Sequence, residues 1–138
     1  GDLVADYSGA ATLVRPLKPL IVIPTTAGTG SENTLVAVIY DVANKTKLLF
    51  SDKFLLPDLA VLDPLMTRSL PPGLTASTGM DALTHAVEAY ISVNALPETD
   101  GYALAATKLI MENLPRAVAK GSCPSAITSL LASACTRP

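Results

Sequence analysis

A cluster of helix-breaking residues, Pro71-Pro72-Gly73, divides the chain into two parts with different hydrophobic patterns. Before the cluster, apolar residues form short continuous runs, which are typical of strands buried on both faces of a parallel sheet. After it, apolar residues recur at helical spacing. The sequence therefore predicts an α/β part over residues 1–70, followed by the beginning of an all-helical part over residues 71–138.

The strands of the first part are indicated by apolar runs and by the turn residues between them. They are predicted at residues 20–23, 35–40, 47–50 and 59–62. Residues 41–45 contain Asp, Asn and Lys and predict a hairpin between the second and third strands. The first and last runs are expected to be buried strands of a parallel sheet.

Two helices are predicted in the second part. The first should run from about Ala76 to Ser92, and Pro97 should begin the second. The second helix should end near Leu114-Pro115, because a proline inside a helix removes a hydrogen bond and clashes with the preceding turn.

Composition limits the classes of protein to which the chain can belong. The 138 residues fit one domain by length, and 49% hydrophobic residues suffice for a core. A net charge of −2 without a basic cluster argues against nucleic acid as a partner. No apolar run approaches the roughly 18–20 residues that cross a bilayer, so no membrane partner is expected. Two cysteines and the lack of a signal-peptide pattern predict a reducing, cytoplasmic location.

The single histidine of the chain, His85, follows Asp81 by four residues in the first predicted helix. Residues at this spacing lie on one helix face, so a carboxylate and an imidazole can bind the same divalent cation. The alternative is a helix start, in which Thr78 and Asp81 form a capping box and His85 merely pairs with the charge of Asp81. Spacing alone leaves both interpretations open, and two ligands do not complete a metal site.

A turn of small and hydroxyl-bearing residues, Pro24–Glu32, follows the first predicted strand. Ligands of open α/β sheets bind beyond the carboxyl ends of strands, where this turn is expected. Its threonine hydroxyls could donate to phosphate or ribose oxygens, although it matches neither the dinucleotide nor the P-loop pattern. Equally, the turn could be purely structural, with hydroxyls bonded to their own backbone.

Lys47, at the start of the third predicted strand, is a cation that could pair with a phosphate bound at this turn. A solvated lysine that discourages pairing at a sheet edge is the ordinary interpretation.

Taken together, these segments resemble the iron-containing (group III) alcohol dehydrogenase family over about residues 6–120. Four segments carry the resemblance, in the family's order and spacing: Pro24–Glu32, Asp63-Pro64, Leu70–Pro72 and Thr78–Tyr90. Beyond about Gly121 the tail is not expected to follow the family.

The resemblance implies a dehydroquinate synthase-like architecture, in which an N-terminal α/β domain binds NAD or NADP and a C-terminal helical domain binds a metal. Fe(II) or Zn(II) would be held by one Asp and three His, of which Asp81 and His85 match the first two. The segment that lies against the cofactor matches Thr25, Thr26, Ala27, Gly28 and Thr29. Lys47 matches a lysine that reaches the cofactor ribose.

The resemblance further implies hydride transfer between a primary alcohol or aldehyde and the nicotinamide, in a protein that is commonly a homodimer or larger. Because no histidine follows His85 and the family's glycine-rich phosphate loop is missing, we expect the chain to be a fragment without activity on its own. Three alternatives remain, namely a dehydroquinate-synthase-like lyase, a polyol dehydrogenase and a catalytically inactive remnant.

Overall fold

The computed structural model describes residues 6–119. Its strands are β1 (Gly9–Ala10), β2 (Ile21–Val22), β3 (Val36–Asp41), β4 (Thr46–Ser51) and β5 (Leu59–Ala60), and its α-helices within this range are α1 (Pro72–Ile91) and α2 (Pro97–Ala119). Short 3-10 turns cover Ser31–Asn33, Lys53–Leu55 and Pro64–Thr67. Strands followed by helices confirm the predicted fold class.

The strands form two small sheets. One has the order β1-β4-β3, with β3 antiparallel and β1 parallel to β4, and the other pairs β2 with β5 in parallel. The β2–β5 pair is fastened at one end by the Asp58 carboxylate, which accepts from the backbone N–H of Leu20 at 2.8 Å. All four predicted strands are confirmed, and only the two-residue strand β1 has no counterpart among the predictions.

The predicted hairpin is confirmed between β3 and β4, and one side chain organises it. Asp41 Oδ1 accepts from the backbone N–H groups of Ala43 and Asn44 at 2.9 and 3.2 Å, and Asp41 Oδ2 accepts from Asn44 Nδ2 at 2.7 Å. Lys45 then takes a left-handed conformation with φ of 52°. The carboxylate thus replaces backbone partners that the reversing chain cannot supply.

The expectation that β2 and β5 are buried was wrong. Ile21 is 62% exposed and Leu59 is 52% exposed. Two strands of two residues each are too small to cover their own faces. A continuous apolar run indicates that a strand is suited to packing between two apolar layers. Whether the strand is buried depends on the layers that actually cover it.

Helix α1 begins about one turn earlier than predicted. Pro72 occupies its first turn, where a proline costs no hydrogen bond, and Pro71 O accepts from Thr75 N at 3.0 Å. The residues that were read as a break before the helix are therefore its start. The helix ends at Ile91, within one residue of the predicted end.

Helix α2 continues past its predicted end at Leu114-Pro115 and contains Pro115 in its interior. Packing explains the difference, because Ala117 is fully buried and Leu114 contacts the core cluster. Burial of that last turn offsets the hydrogen bond that the proline lacks.

Within the described residues the chain divides into two compact units. The strand unit comprises residues 6–22 and Ser31–Ala60, and the helical unit comprises Ile23–Gly30 and residues 61–119. The helical unit is built on the α1–α2 pair, with a core of Ala27, Ala82, Ile110 and Ala117 flanked by Leu83 and Leu114. Most of the turn of small and hydroxyl-bearing residues, up to Gly30, is thus part of the helical unit, although it follows a strand in sequence.

Candidate functional site

Asp81 and His85 lie one turn apart on α1, as their spacing predicted. Asp81 Oδ1 is 3.7 Å from His85 Nε2. The side chain of Asp81 is 45% exposed and that of His85 is 32% exposed, so both can reach a ligand from solvent. The structure therefore brings together a carboxylate oxygen and an imidazole nitrogen on one accessible helix face.

The capping-box interpretation of Thr78 and Asp81 is excluded by the helix bounds. Helix α1 starts at Pro72, which places Thr78 well inside it. The Thr78 hydroxyl donates to the Leu74 carbonyl at 2.9 Å, as an interior threonine does, instead of capping a free N–H group. Asp81 consequently has no role in starting the helix.

The donor pair fits part of a metal site. Atoms 3.7 Å apart can both lie at the distance of about 2.0–2.2 Å that nitrogen and oxygen ligands keep from a zinc-like cation. Over residues 6–119 no group of three or more His, Cys, Asp or Glu side chains could hold an ion, and the sequence contains one histidine. Asp81 and His85 would thus be two ligands of a set that the described residues do not complete.

The turn that carries the predicted cofactor residues packs on the same helix. Ala27 and Gly28 are buried, whereas Thr25 and Thr29 are exposed. Ala27 joins Ala82 in the core cluster. A methyl group added to Gly28 would overlap the backbone carbonyl of Thr78, so the turn lies directly on the helical turn that precedes Asp81. The structure therefore places the predicted cofactor segment and the predicted pair of metal ligands in one compact unit.

Sequence reasoning missed this packing of the turn on α1. The signal available was the set of small residues on both sides, namely Ala27-Gly28 in the turn and Ala82 in the helix. Small residues allow close backbone approach, but they do not by themselves name the surface that is approached.

Lys47 belongs to the strand unit, where it is exposed on β4 opposite Tyr40. Strand β4 is central in its sheet, but β1 pairs only with Phe50 and Ser51, so at Lys47 the sheet has two strands. The role of Lys47 in cofactor binding stays a prediction.

Neither of the α-helices in the described part of the chain is both long and apolar enough to span a lipid bilayer.

Comparison with known proteins identifies the class of the fold as that of alcohol dehydrogenases named for iron. The model of the family "Iron-containing alcohol dehydrogenase" matches residues 2–64, and that of "Fe-containing alcohol dehydrogenase family, C-terminal" matches residues 75–135. The chain belongs to the iron-containing alcohol dehydrogenase family. This membership agrees with the dehydroquinate synthase-like architecture implied by the resemblance. The likeness extends to residue 135, so the expectation that it stops near Gly121 was wrong.

Relatives of known name are identical to the chain at about half of the aligned positions. The NAD-dependent methanol dehydrogenase of Bacillus methanolicus is 49% identical over 121 residues, which cover 88% of this chain and 32% of that protein. Long-chain-alcohol dehydrogenase 1 of Geobacillus thermodenitrificans is 52% identical over 122 residues, covering 86% and 30%.

A crystal structure of 1,3-propanediol oxidoreductase superposes with a TM-score of 0.91 at 44% identity, covering 96% of this chain and 35% of that one. The chain thus spans about a third of the length of the relatives that it matches.

Proposed function

We propose that the protein is an NAD-dependent, iron-dependent dehydrogenase of primary alcohols, and that this chain contributes part of both its metal site and its dinucleotide site. The observation that carries the proposal is the packing of the Thr25–Thr29 turn on the helix that presents Asp81 and His85. Family membership supports the assignment of a metal to the pair and of a nicotinamide cofactor to the turn.

The metal half of the site consists of Asp81 and His85. A carboxylate supplies a hard, charged oxygen and an imidazole supplies a borderline nitrogen, a combination that suits Fe(II) and also Zn(II). We propose Fe(II), because the family is named for iron. Both ligands lie on a 20-residue helix that packs on α2 through buried residues such as Gly79 and Ala82, so the pair is held on a rigid element.

The dinucleotide half consists of Thr25, Thr26, Ala27, Gly28 and Thr29, with Lys47 as a further contact. The exposed threonine side chains supply hydroxyl donors, while buried Ala27 and Gly28 anchor the turn. Lys47 is an exposed cation that would pair with a phosphate or donate to a ribose hydroxyl. We propose NAD as the cofactor, because the methanol dehydrogenase relative is named as NAD-dependent.

The chemistry divides between the bound groups and the protein. A metal held by Asp81 and His85 would supply Lewis-acid polarisation of the substrate oxygen, and a nicotinamide held by the turn would supply the hydride acceptor, with the hydroxyl proton released to solvent. The residues of this chain bind and orient, since Asp81 and His85 hold one group and the turn holds the other. Orientation of this kind supplies a large part of the rate, because small displacements of reacting groups are costly.

The substrate proposed is an unbranched primary alcohol or the matching aldehyde. The relatives are named for methanol, long-chain alcohols and 1,3-propanediol, all of which present a primary hydroxyl group. These substrates differ widely in the length of their carbon chain, so the proposal names the primary hydroxyl group and not a particular alcohol.

The test uses the complete native polypeptide, purified without chelators. We expect one Fe or Zn per chain by inductively coupled plasma mass spectrometry and formation of NADH with primary alcohols. Asp81→Asn and His85→Gln should each lower the metal content by at least about tenfold, because removal of one ligand destabilises the whole site. Glu112→Gln, which removes an exposed carboxylate on α2, should retain wild-type metal content.

Full metal content in both Asp81→Asn and His85→Gln would exclude the pair as ligands. Turnover of a polyol or cyclic substrate without net formation of NADH would favour the lyase alternative over the dehydrogenase.

A further inference from the structure

We propose that Gly28 is a positioning residue, whose missing side chain sets the distance between the dinucleotide-binding turn and the metal-binding pair. The inference rests on the proposed function and assigns to Gly28, already part of the dinucleotide half, a role that requires no contact with the metal or the substrate. It is carried by the close contact between Gly28 and the backbone of Thr78.

Gly28 contacts the backbone of Thr78, and a clash with backbone atoms cannot be relieved by rotating a side chain. A Cβ atom at Gly28 would overlap the carbonyl oxygen and carbon of Thr78 and would lie 2.9 Å from the Thr78 Cβ. A side-chain tip could rotate away, but a helical carbonyl is held by its own hydrogen bond. Any larger residue must therefore move the turn away from the helix.

A requirement for space, not for conformation, explains a glycine at position 28. Among the described glycines only Gly9 and Gly30 have positive φ, and Gly30, two residues later in the same turn, has φ of 62°. Gly30 thus serves the chain reversal, where a side chain is disfavoured. Gly28 does not need that freedom, and its buried position against Thr78 is the feature that only glycine permits.

The carbonyl that Gly28 contacts belongs to the helical turn that carries Asp81. In an α-helix the carbonyl of Thr78 accepts from the N–H of Ala82, and Asp81 lies within that turn. Ala82 in turn belongs to the same core cluster as Ala27, the neighbour of Gly28. The cofactor segment therefore packs on this one helical turn through two adjacent residues, Ala27 and Gly28.

The helix is also packed on α2, so we expect the turn to absorb the displacement. Gly79, next to Thr78, packs directly on the Leu114 side chain of α2. Replacement of Gly28 should therefore shift the cofactor segment relative to Asp81 and His85 while the ligands themselves stay in place. A displacement on the order of 1 Å costs about 100-fold in rate.

The experiment compares Gly28→Ala with the wild type in the complete, metal-loaded polypeptide. We expect kcat for a primary alcohol to fall about 100-fold, while metal content stays at the wild-type value and the Kd for NAD from calorimetry changes less than about threefold. The isotope effect on kcat with alcohol deuterated at C1 should rise, because hydride transfer becomes the slow step.

Two glycine variants serve as matched controls. Gly101→Ala points into open space on α2 and should leave kcat, the isotope effect, the metal content and the Kd for NAD unchanged. Gly79→Ala meets the movable Leu114 side chain, so it should lower the melting temperature and keep kcat and the isotope effect within about threefold of wild type.

Three results would overturn the inference. Wild-type kcat in Gly28→Ala would show that the contact does not control the distance between the cofactor segment and the metal-binding pair during catalysis. A loss of kcat with an unchanged isotope effect, matching that of Gly79→Ala, would reduce the contact to stability alone. A wild-type enzyme that is inactive with NAD and alcohols would overturn this inference together with the proposed function, whereas the first two results would leave the proposed function intact.

Discussion

The contact between Gly79 of α1 and Leu114 of α2 makes a specific prediction about stability. A Cβ atom at Gly79 would overlap Leu114 Cδ1 and would lie 3.0 Å from Cδ2 and 3.2 Å from Cγ. We therefore expect the effect of Gly79→Ala on the free energy of unfolding to change sign when Leu114 is also replaced by alanine.

The magnitudes follow from two opposing contributions. Overpacking against Leu114 costs about 1–3 kcal/mol, and the higher helix propensity of alanine contributes about 1 kcal/mol in its favour. Gly79→Ala alone should then destabilise by about 0–2 kcal/mol. In the Leu114→Ala background the overlap is gone and the added methyl group fills part of the cavity, contributing roughly 0.8 kcal/mol. There the same change should stabilise by about 1–2 kcal/mol.

The assay is a double-mutant cycle in the complete native polypeptide, with urea unfolding followed by the loss of helical circular dichroism. Leu114→Ala alone should cost about 2–5 kcal/mol, and the coupling between the two sites should be about 2–3 kcal/mol. Gly101→Ala, which faces open space, supplies the control and should act equally in both backgrounds. Equal effects of Gly79→Ala in the two backgrounds would refute the packing of α1 on α2 through this contact.

Two further predictions concern Pro115 and the hairpin. Pro115→Ala should raise the free energy of unfolding by at least about 1 kcal/mol, measured in urea, because it restores a helix hydrogen bond and replaces a residue of low helix propensity in the interior of α2. A lower stability would mean that the proline is accommodated without cost. The side-chain hydrogen bond from Asn44, followed by backbone N–H groups of Asn44 and Ala43, holds the pKa of Asp41 below its ordinary value. A lowered pKa in the folded state means that the carboxylate stabilises the hairpin above pH of about 4 and that this contribution disappears as the pH falls through the folded-state pKa. Asn44→Ala should shift the Asp41 pKa upward in a carbon-detected NMR titration, and an unchanged pKa would contradict the assigned cause.

The helical placement of Asp81 and His85 was predictable because it is a local property. Once the segment is helical, residues four apart must share a face, whatever surrounds them. The hairpin at residues 41–45 was predictable for the same reason, since Asp and Asn close such turns with their own side chains.

Predictions from local sequence patterns failed where packing between residues far apart in the sequence decided the structure. Pro115 predicted the end of α2, yet the helix continues because burial of Ala117 outweighs a missing hydrogen bond. Continuous apolar runs predicted buried strands at β2 and β5, yet Ile21 and Leu59 are exposed, because an apolar pattern does not supply the layer that would cover it.

The sequence by itself determined the order of strands and helices, the family, and the pairing of a carboxylate with an imidazole on one helix face. Only the tertiary structure decided that the turn around Gly28 packs on the helix at Thr78, fifty residues later in the chain. Periodicity and spacing are properties of residues that are close in the sequence. The contact between the turn and the helix instead depends on how two segments far apart in the sequence pack together in the core. That packing brings the two halves of the proposed site into one unit.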